Sequence, residues 1–150
     1  MAKLTNDIAR TYELGDIEEF PVLAGEKICE GAAVGIDSNG YARSLQAGDK
    51  FGGFADEASD NSSGQDGSRT VRVKYKGTVV ITAPSGITQA NVGNYLYASD
   101  DNTFTTTASN TLIGTIRSFS NNEISIEFED YLAYKQAEEN GSVKIYSTRK

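Results

Sequence analysis

Acidic side chains are the first candidates for chemistry in this sequence. Glu123, Glu127 and Glu129 alternate with apolar residues, and Glu18 is followed directly by Glu19. A glycosidase needs two carboxyl groups that face a cleft at a defined separation, with the pKa of one raised by an apolar setting. Three glutamates on one face of a strand are more typical of a solvated surface. We therefore interpret these carboxylates as structural.

Nucleophilic chemistry has few side chains to use. The sequence contains no histidine and one cysteine, Cys29. The lack of histidine excludes His-based triads and His metal ligands, and a single cysteine excludes an internal disulfide and a Cys-rich zinc site. Because nothing activates it and it follows the apolar Ile28, Cys29 is predicted to be a buried, inert thiol. Serine–lysine dyads stay open, since no spacing identifies a pair.

Metal and phosphate sites are not indicated. Asp60, Asp66, Asp100 and Asp101 lie in turn-like segments, but none matches the EF-hand spacing, because Gly64 stands where a ligand is needed. The glycines match neither a P-loop nor a dinucleotide fingerprint. We predict no catalytic residue, no cofactor and no metal, and therefore a protein that is not an enzyme.

The charge balance restricts the partners. Asp and Glu total 21 against 14 Lys and Arg, a net charge of −7. This argues against nucleic acid and against an anionic membrane as partners. The basic strand face of Arg72, Lys74 and Lys76 is expected to pair with acidic strands or an acidic partner. The N-terminal residues have no apolar stretch of a secretory signal, so we expect the protein to be made in a cytoplasm.

Two segments have the alternation of half-buried strands. In 70–76, Val71 and Val73 alternate with basic residues, and in 123–129, Ile124, Ile126 and Phe128 alternate with glutamates. Period-two alternation predicts a strand with one buried face. Fifteen glycines and many β-branched residues are consistent with short strands and tight turns.

Turn residues separate these strands. Asn39-Gly40 is predicted to form a type I′ hairpin turn, and Asn121-Asn122 and Asp100–Asn102 are predicted to be turns. Gly77 is expected at a bulge or bend within one long strand. The segment 59–68 has no apolar residue and is predicted to be an exposed, mobile loop.

Helix signals are weak. Ile87–Gly93 is predicted to form one turn capped by Thr88, and Tyr131–Glu139 is the one longer candidate. The chain therefore reads as a single, mainly β, antiparallel domain with few short helices. We place this β domain at residues 20–129, between an extended N-terminal arm, 1–19, and a C-terminal extension, 130–150. The apolar residues of the arm and its junction with the domain are sparse: Leu4, Ile8, Tyr12, Leu14, Ile17 and Phe20.

Several stretches resemble one known family. They are Phe20–Gly25, Glu30–Ala42, Gly48–Glu57, Thr70–Gly77, Tyr97–Asp101 and Leu112–Gly114. Together they are similar to the capsid cement (head decoration) proteins of tailed bacteriophages, over about residues 12–129. The shared motifs are structural and not catalytic.

The resemblance implies a fold and a function. The fold would be a β-tulip-like sandwich or barrel. The protein would form homotrimers on the outer surface of the expanded virion capsid, bind the major capsid protein and stabilise contacts between its copies. In that family the N-terminal arm commonly contributes to the shell contact, which makes the six apolar arm residues the expected capsid-contact set. The role of residues 130–150 stays open, because they extend past the shared pattern.

Two other classes of function stay open. A carbohydrate- or surface-binding β module would need exposed aromatic residues in a concave site, for which Tyr95, Tyr97 and Phe104 are the candidates. A small hydrolase would use Ser, Lys or carboxylates without a recognisable motif.

Overall fold

The structure is a computed structural model, and it describes residues 5–7, 9, 15–108 and 110–129. Within these ranges the chain is all-β, with twelve strands and one turn of 3₁₀ helix, Gln89–Asn91. The strands are β1 (Ile17–Pro21), β2 (Lys27–Ile28), β3 (Ala33–Ile36), β4 (Ala42–Ser44), β5 (Lys50–Ala55), β6 (Ser59–Asp60), β7 (Thr70–Lys74), β8 (Gly77–Thr82), β9 (Tyr95–Asp100), β10 (Thr103–Thr105), β11 (Thr111–Ser120) and β12 (Glu123–Phe128). The prediction of a mainly β fold is confirmed. The C-terminal extension, with its predicted helix, lies outside the described residues.

The strands form two five-stranded sheets and one small ribbon. The first sheet has the order β1-β7-β5-β3-β4, and the second has the order β10-β9-β11-β12-β8. The ribbon pairs β2 with β6. All of these strand pairs are antiparallel.

The main hydrophobic core joins residues of both sheets. Leu96, Ile113 and Ile124 of the second sheet are fully buried in the same cluster as Phe51 and Phe54 of the first. The rings of Phe54 and Phe128 meet edge to face, with centroids 5.0 Å apart. Edge-to-face aromatic contacts of this kind contribute about 0.5–1.5 kcal/mol beyond their buried area.

The first sheet also buries its other face. Val34 of β3 and Val71 and Val73 of β7 pack with Val22 and Ile28 in a second core cluster. As a result, all four residues of β3 are buried. A strand that is buried on both faces shows no hydrophobic alternation.

The two strands predicted from alternation are present. Val71 and Val73 of β7 are buried, and so are Ile124, Ile126 and Phe128 of β12. The expectation for Gly77 was wrong in one respect, because β7 and β8 are not one strand. The chain leaves the first sheet after Lys74 and begins β8 of the second sheet at Gly77.

The type I′ turn lies at Asn121-Asn122 and not at Asn39-Gly40. Both Asn121 and Asn122 have positive φ (52° and 60°), whereas at the other site only Gly40 does, with φ 88°. The amides of Asn39 and Tyr41 each donate to Asp37 Oδ1 at 2.9 Å. These bonds favour a right-handed turn over 37–40, closed by Gly40 N donating to Asp37 O, with the glycine taking the single left-handed position.

The short helical turn is confirmed with its predicted cap. Thr88 precedes Gln89–Asn91, its hydroxyl accepts from Ala90 N, and the Asn91 side chain accepts from Thr88 N at 2.8 Å. In the part of the chain that the structure describes, no helix is long and apolar enough to cross a membrane.

The first sheet begins earlier than predicted. β1 starts at Ile17, so residues 17–19 of the predicted arm are part of the sheet, and the segment that precedes it is 1–16. The reason is pairing with β7, which extends from Ile17 opposite Lys74 to Pro21 opposite Thr70. The predicted boundary of the arm at residue 19 rests on side-chain polarity. Backbone hydrogen bonds between strands do not depend on that polarity.

Candidate functional site

The N-terminal segment joins the domain at an edge strand. β1 is the outermost strand of the first sheet, and β7 is its one partner in that sheet. Just before β1, the Asp16 carbonyl oxygen accepts a hydrogen bond from Tyr75 N at 3.0 Å. The backbone is therefore held from Asp16 onward.

The predicted capsid-contact residues fall into two groups, four that precede Asp16 and two that lie in β1. Leu4, Ile8, Tyr12 and Leu14 lie outside the described residues. Ile17 and Phe20 are half-buried in β1. Phe20 packs against the second core cluster, which gives its side chain a role in the domain itself.

A groove that the sequence did not reveal lies next to the same point. It has a volume of about 420 Å³ and extends from Asp16 to β8, with Phe54, Phe104 and Phe128 among its lining. Its lining is otherwise mixed, since it includes three acidic and two basic residues: Asp16, Glu30, Asp56, Lys74 and Lys76. One sequence feature could have indicated the groove. None of the six residues in the segment 77–82 is charged.

The loop at 59–68 is not exposed throughout, and this expectation was wrong. Asn61 is 2% exposed, and its Nδ2 donates to the carbonyl oxygens of Val22, Leu23 and Gln65 at 3.1, 3.1 and 2.9 Å. Ser59 is also buried, and its hydroxyl donates to Thr70 O at 2.9 Å. The amide can be buried because its Nδ2 finds backbone acceptors inside the loop.

Two of the four aspartates considered as calcium ligands, Asp60 and Asp100, hold turns. Asp60 Oδ1 accepts from Ser62 N at 3.0 Å, and Asp100 Oδ1 accepts from Asn102 N at 2.9 Å. The bond with Ser62 lowers the pKa of Asp60, and the bond from the Asn102 amide lowers the pKa of Asp100. Among the described residues, no group of three or more Asp, Glu or Cys is arranged to hold a metal ion.

One partly buried ion pair is structural. Arg43 Nη2 and Nε donate to the two oxygens of Asp49 at 2.7 and 3.0 Å. This hydrogen bonding raises the pKa of Arg43. Asp49 Oδ2 also accepts from Gln46 N at 3.0 Å, so the carboxylate organises the turn between β4 and β5. All its observed partners are internal, which favours a role in folding.

The one cysteine lies at the surface of the domain. Cys29 is exposed, so the prediction of a buried thiol was wrong. It follows the buried Ile28, and alternation along the chain directs Cys29 outward.

Glu123 and Glu127 are exposed on β12, as expected for a solvated face. Arg117 reaches Glu127 at 3.4 Å, an exposed pair of little energetic weight.

The aromatic residues considered for carbohydrate binding contribute to the core. Tyr95 is buried, and Tyr97 and Phe104 are partly buried against the main cluster. The Tyr95 and Tyr97 rings meet edge to face at 6.5 Å. They do not form an exposed stacking platform.

Comparison of the chain with family models, curated proteins and solved structures finds no match.

Proposed function

We propose that this protein is a structural, non-enzymatic virion component that reinforces a phage capsid from outside. In this proposal it binds the expanded shell as a homotrimer and links copies of the major capsid protein. The proposal combines the resemblance described above with one structural observation. That observation is the way in which residues 1–16 lead into the hydrogen-bonded edge strand β1.

This arrangement suits a mechanical link. A pull on the N-terminal segment acts along β1, where five residue pairs with β7 share the load. The hydrogen bond from Tyr75 N to Asp16 O adds a further link at the point where the segment meets the domain. A tether that is loaded along a strand must break several hydrogen bonds together, because they all resist the same sliding motion.

The energetics of the contact support an extended arm. Ordering a free segment costs about 1–2 kcal/mol per residue in backbone entropy, so a small contact cannot hold it. Strand addition to a capsid sheet, with Tyr12 and Leu14 in pockets, offsets this cost through main-chain hydrogen bonds and buried area. Three arms on one trimer make the second and third contacts intramolecular, which raises the avidity. Binding that favours the expanded shell then stabilises it by mass action.

Removal of residues 1–15 tests the proposal. The variant keeps Asp16, and therefore retains the hydrogen bond from Tyr75 N to Asp16 O. We expect an unchanged melting temperature and a steep loss of co-sedimentation with expanded phage shells that lack their decoration protein. A full-length chain with residues 2–15 scrambled is the matched control for length and charge, and it should also lose binding.

Two results would count against the proposal. Full-length protein that fails to sediment with any shell, or that is monomeric both free and on shells by light scattering and imaging, contradicts the function. Truncated protein that binds as tightly as the full chain contradicts the role of the arm and transfers the contact to the β domain.

A further inference from the structure

Strand β8 lies at the edge of the second sheet without the features that normally protect an edge. Among the other edge strands, β1 carries Glu18, Glu19 and Pro21, and β4 and β10 have only three residues each. β8 has six residues, none of them charged and none of them proline, and it pairs with β12 without a bulge. Proteins normally blunt an edge with charge, proline, shortness or a bulge, because an open edge pairs readily with another strand.

The outer side of β8 carries backbone groups that do not face β12. Ala83 N donates to Asn122 O, and this bond continues the antiparallel register of the two strands. Because backbone groups alternate in direction along a strand, the N–H and C=O groups of three residues point away from β12: Thr78, Val80 and Thr82. Among the described strands, none pairs with β8 on that side.

The side chains of β8 add apolar surface on both faces of this edge. Val80 is 58% exposed, and it is the one large hydrophobic side chain that is exposed among the described residues. On the other face, Val79 and Ile81 are half-buried and line the groove. A second strand at this edge would cover apolar side chains on both faces.

We propose that β8 pairs with β8 of a second copy of this chain, antiparallel and about a two-fold axis at Val80. A two-fold contact joins the same surface of both copies, so it needs a strand that is complementary to itself. With Val80 opposite Val80 of the partner subunit, Thr78 lies opposite Thr82 of the partner subunit, and Val79 lies opposite Ile81 of the partner subunit. This contact is separate from the contact of the N-terminal segment and goes beyond the proposed function.

The backbone selects this register. Centred on Val80, the three outward-facing residues of one strand meet the three of the other, and each pair exchanges N–H and C=O bonds. A shift by one residue would place them opposite residues whose backbone groups already face β12. A shift by two residues would either place Thr78 opposite Pro84, which has no N–H, or move Thr82 past the end of β8 at Gly77.

The side chains agree with the same register. On the outer face the opposed pairs are Val80 with itself and Thr78 with Thr82, and on the groove face they are Val79 with Ile81. Pairs of β-branched residues and pairs of threonines are among those that stabilise neighbouring strands. Like side chains therefore meet like across the whole pair.

Charge does not oppose the contact. Glu123 and Glu127 are exposed on the outer face of β12, opposite Thr82 and Thr78. In the pair, Glu127 and Glu123 of the partner subunit are three strand spacings apart, about 14 Å. This separation exceeds the Debye length of about 8 Å at physiological ionic strength, and Arg117 already partners Glu127 within each copy.

The size of the contact predicts a weak association. A strand of six residues is about 20 Å long, so the pair buries less than the roughly 1,200–2,000 Å² of a stable interface. The contact should therefore form at high protein concentration. It should also form where copies are held side by side, as neighbouring trimers would be on a shell under the proposed function.

Disulfide trapping tests the register. The Cα atoms of a hydrogen-bonded cross-strand pair are about 5.5 Å apart, which is within the range of a disulfide. In a Cys29→Ser background with oxidised glutathione, Val80→Cys should form a covalent dimer at least tenfold faster than Thr106→Cys, a control at an exposed threonine. Thr78→Cys and Thr82→Cys should each cross-link slowly alone, because each lies about 13 Å from its own copy, and rapidly when mixed.

Sedimentation equilibrium tests the contact without new thiols. The weight-average mass of the parent should rise as its concentration approaches the millimolar range. Val80→Lys places two like charges directly opposite each other and should lower the association constant at least tenfold. Thr106→Lys adds the same charge elsewhere and should leave the association constant unchanged. Both substitutions are at exposed residues, so the melting temperature should not change.

Either experiment can overturn the proposal. A parent mass that is independent of concentration contradicts the contact, and so does equal association of the parent and Val80→Lys. Equal cross-linking of the three single-cysteine variants contradicts the register. Neither experiment uses shells, so these failures are distinct from a failure of the proposed function.

Discussion

Thr111 connects the two five-stranded sheets through its hydroxyl, which donates a 2.8 Å hydrogen bond to the carbonyl oxygen of Asp49. The same hydroxyl accepts from Gly48 N at 3.1 Å, and Thr111 is 1% exposed. Thr111 belongs to β11 of the second sheet, while Gly48 and Asp49 form the turn before β5 of the first. One side chain therefore satisfies two backbone groups of the opposite sheet.

Replacement of Thr111 by valine should destabilise the domain. The variant keeps the shape of the side chain but leaves the buried Asp49 carbonyl oxygen and the Gly48 N–H without this partner, at a cost of about 1–3 kcal/mol. Urea unfolding of the two proteins measures the difference. Thr106→Val, at an exposed threonine, is the matched control and should change the free energy of unfolding little. A Thr111→Val protein as stable as the parent would show that the turn finds other partners.

Gly35→Ala should destabilise the domain through Asp49. A Cβ atom at residue 35 would collide with the Asp49 side chain, which Arg43 holds in place. Displacing a packed side chain costs about 1–3 kcal/mol. Gly15→Ala is the control, because its Cβ would meet only the flexible end of Lys76. Thermal unfolding should show a clear drop for the first variant alone.

Asn61→Ala should loosen the loop that it supports. Without Nδ2, three carbonyl oxygens lose this donor although each keeps a backbone donor, and we expect a loss of about 0.5–1.5 kcal/mol in the free energy of unfolding. The amide of Gly67, which donates to Val22 O in the same loop, should exchange faster. Ser63→Ala, at an exposed position in this loop, should change neither quantity. Unaltered exchange in Asn61→Ala would mean that the turn residues alone hold the loop.

Cys29 should react with thiol reagents in the native protein. Its exposure predicts a labelling rate within about threefold of the rate in denaturant, where every thiol is accessible. Absorbance on addition of a chromogenic disulfide reagent measures both rates. Cys29→Ser should release no chromophore. A native protein that labels only on unfolding would restore the original expectation of a buried thiol.

Asp100→Asn should remove a small, pH-dependent part of the stability. The Asn102 amide and the Thr103 hydroxyl donate to the Asp100 carboxylate and lower its pKa below the ordinary value of 3.8. A lowered folded-state pKa gives stability that is fully present well above pH 3.8 and is lost as pH falls through the folded-state value. The difference between parent and variant should be constant at neutral pH and shrink below about pH 4, and it should stay under about 0.5 kcal/mol because the carboxylate is exposed. Urea unfolding from pH 2.5 to 7 would detect this, and a difference that grows toward low pH would contradict it.

The candidate site was only partly predictable from sequence. The β8 groove depends on Phe54, Phe104 and Phe128, which come from three strands and belong to two sheets. In the sequence, each of these phenylalanines has the surroundings of an ordinary core residue. Only the uncharged run 77–82 gave a local signal, and a buried central strand has the same composition.

Local chemistry alone determined the strands with one buried face and the turns that depend on their own residues. β7 and β12 follow from alternation, because a side chain's face is set by its position along a strand. The cap at Thr88 and the positive φ of Asn121 and Asn122 follow from short-range hydrogen bonding and sterics.

Tertiary structure decided what depends on distant partners. Asn61 is buried because Val22 and Leu23, far away in sequence, present carbonyl oxygens to it. β1 begins at Ile17 because β7 supplies the hydrogen bonds there. In both cases the partner is a distant backbone group, and side-chain patterns do not specify where such a group lies. For the same reason, the strands that lie at the edges of the described sheets are known only from the tertiary structure.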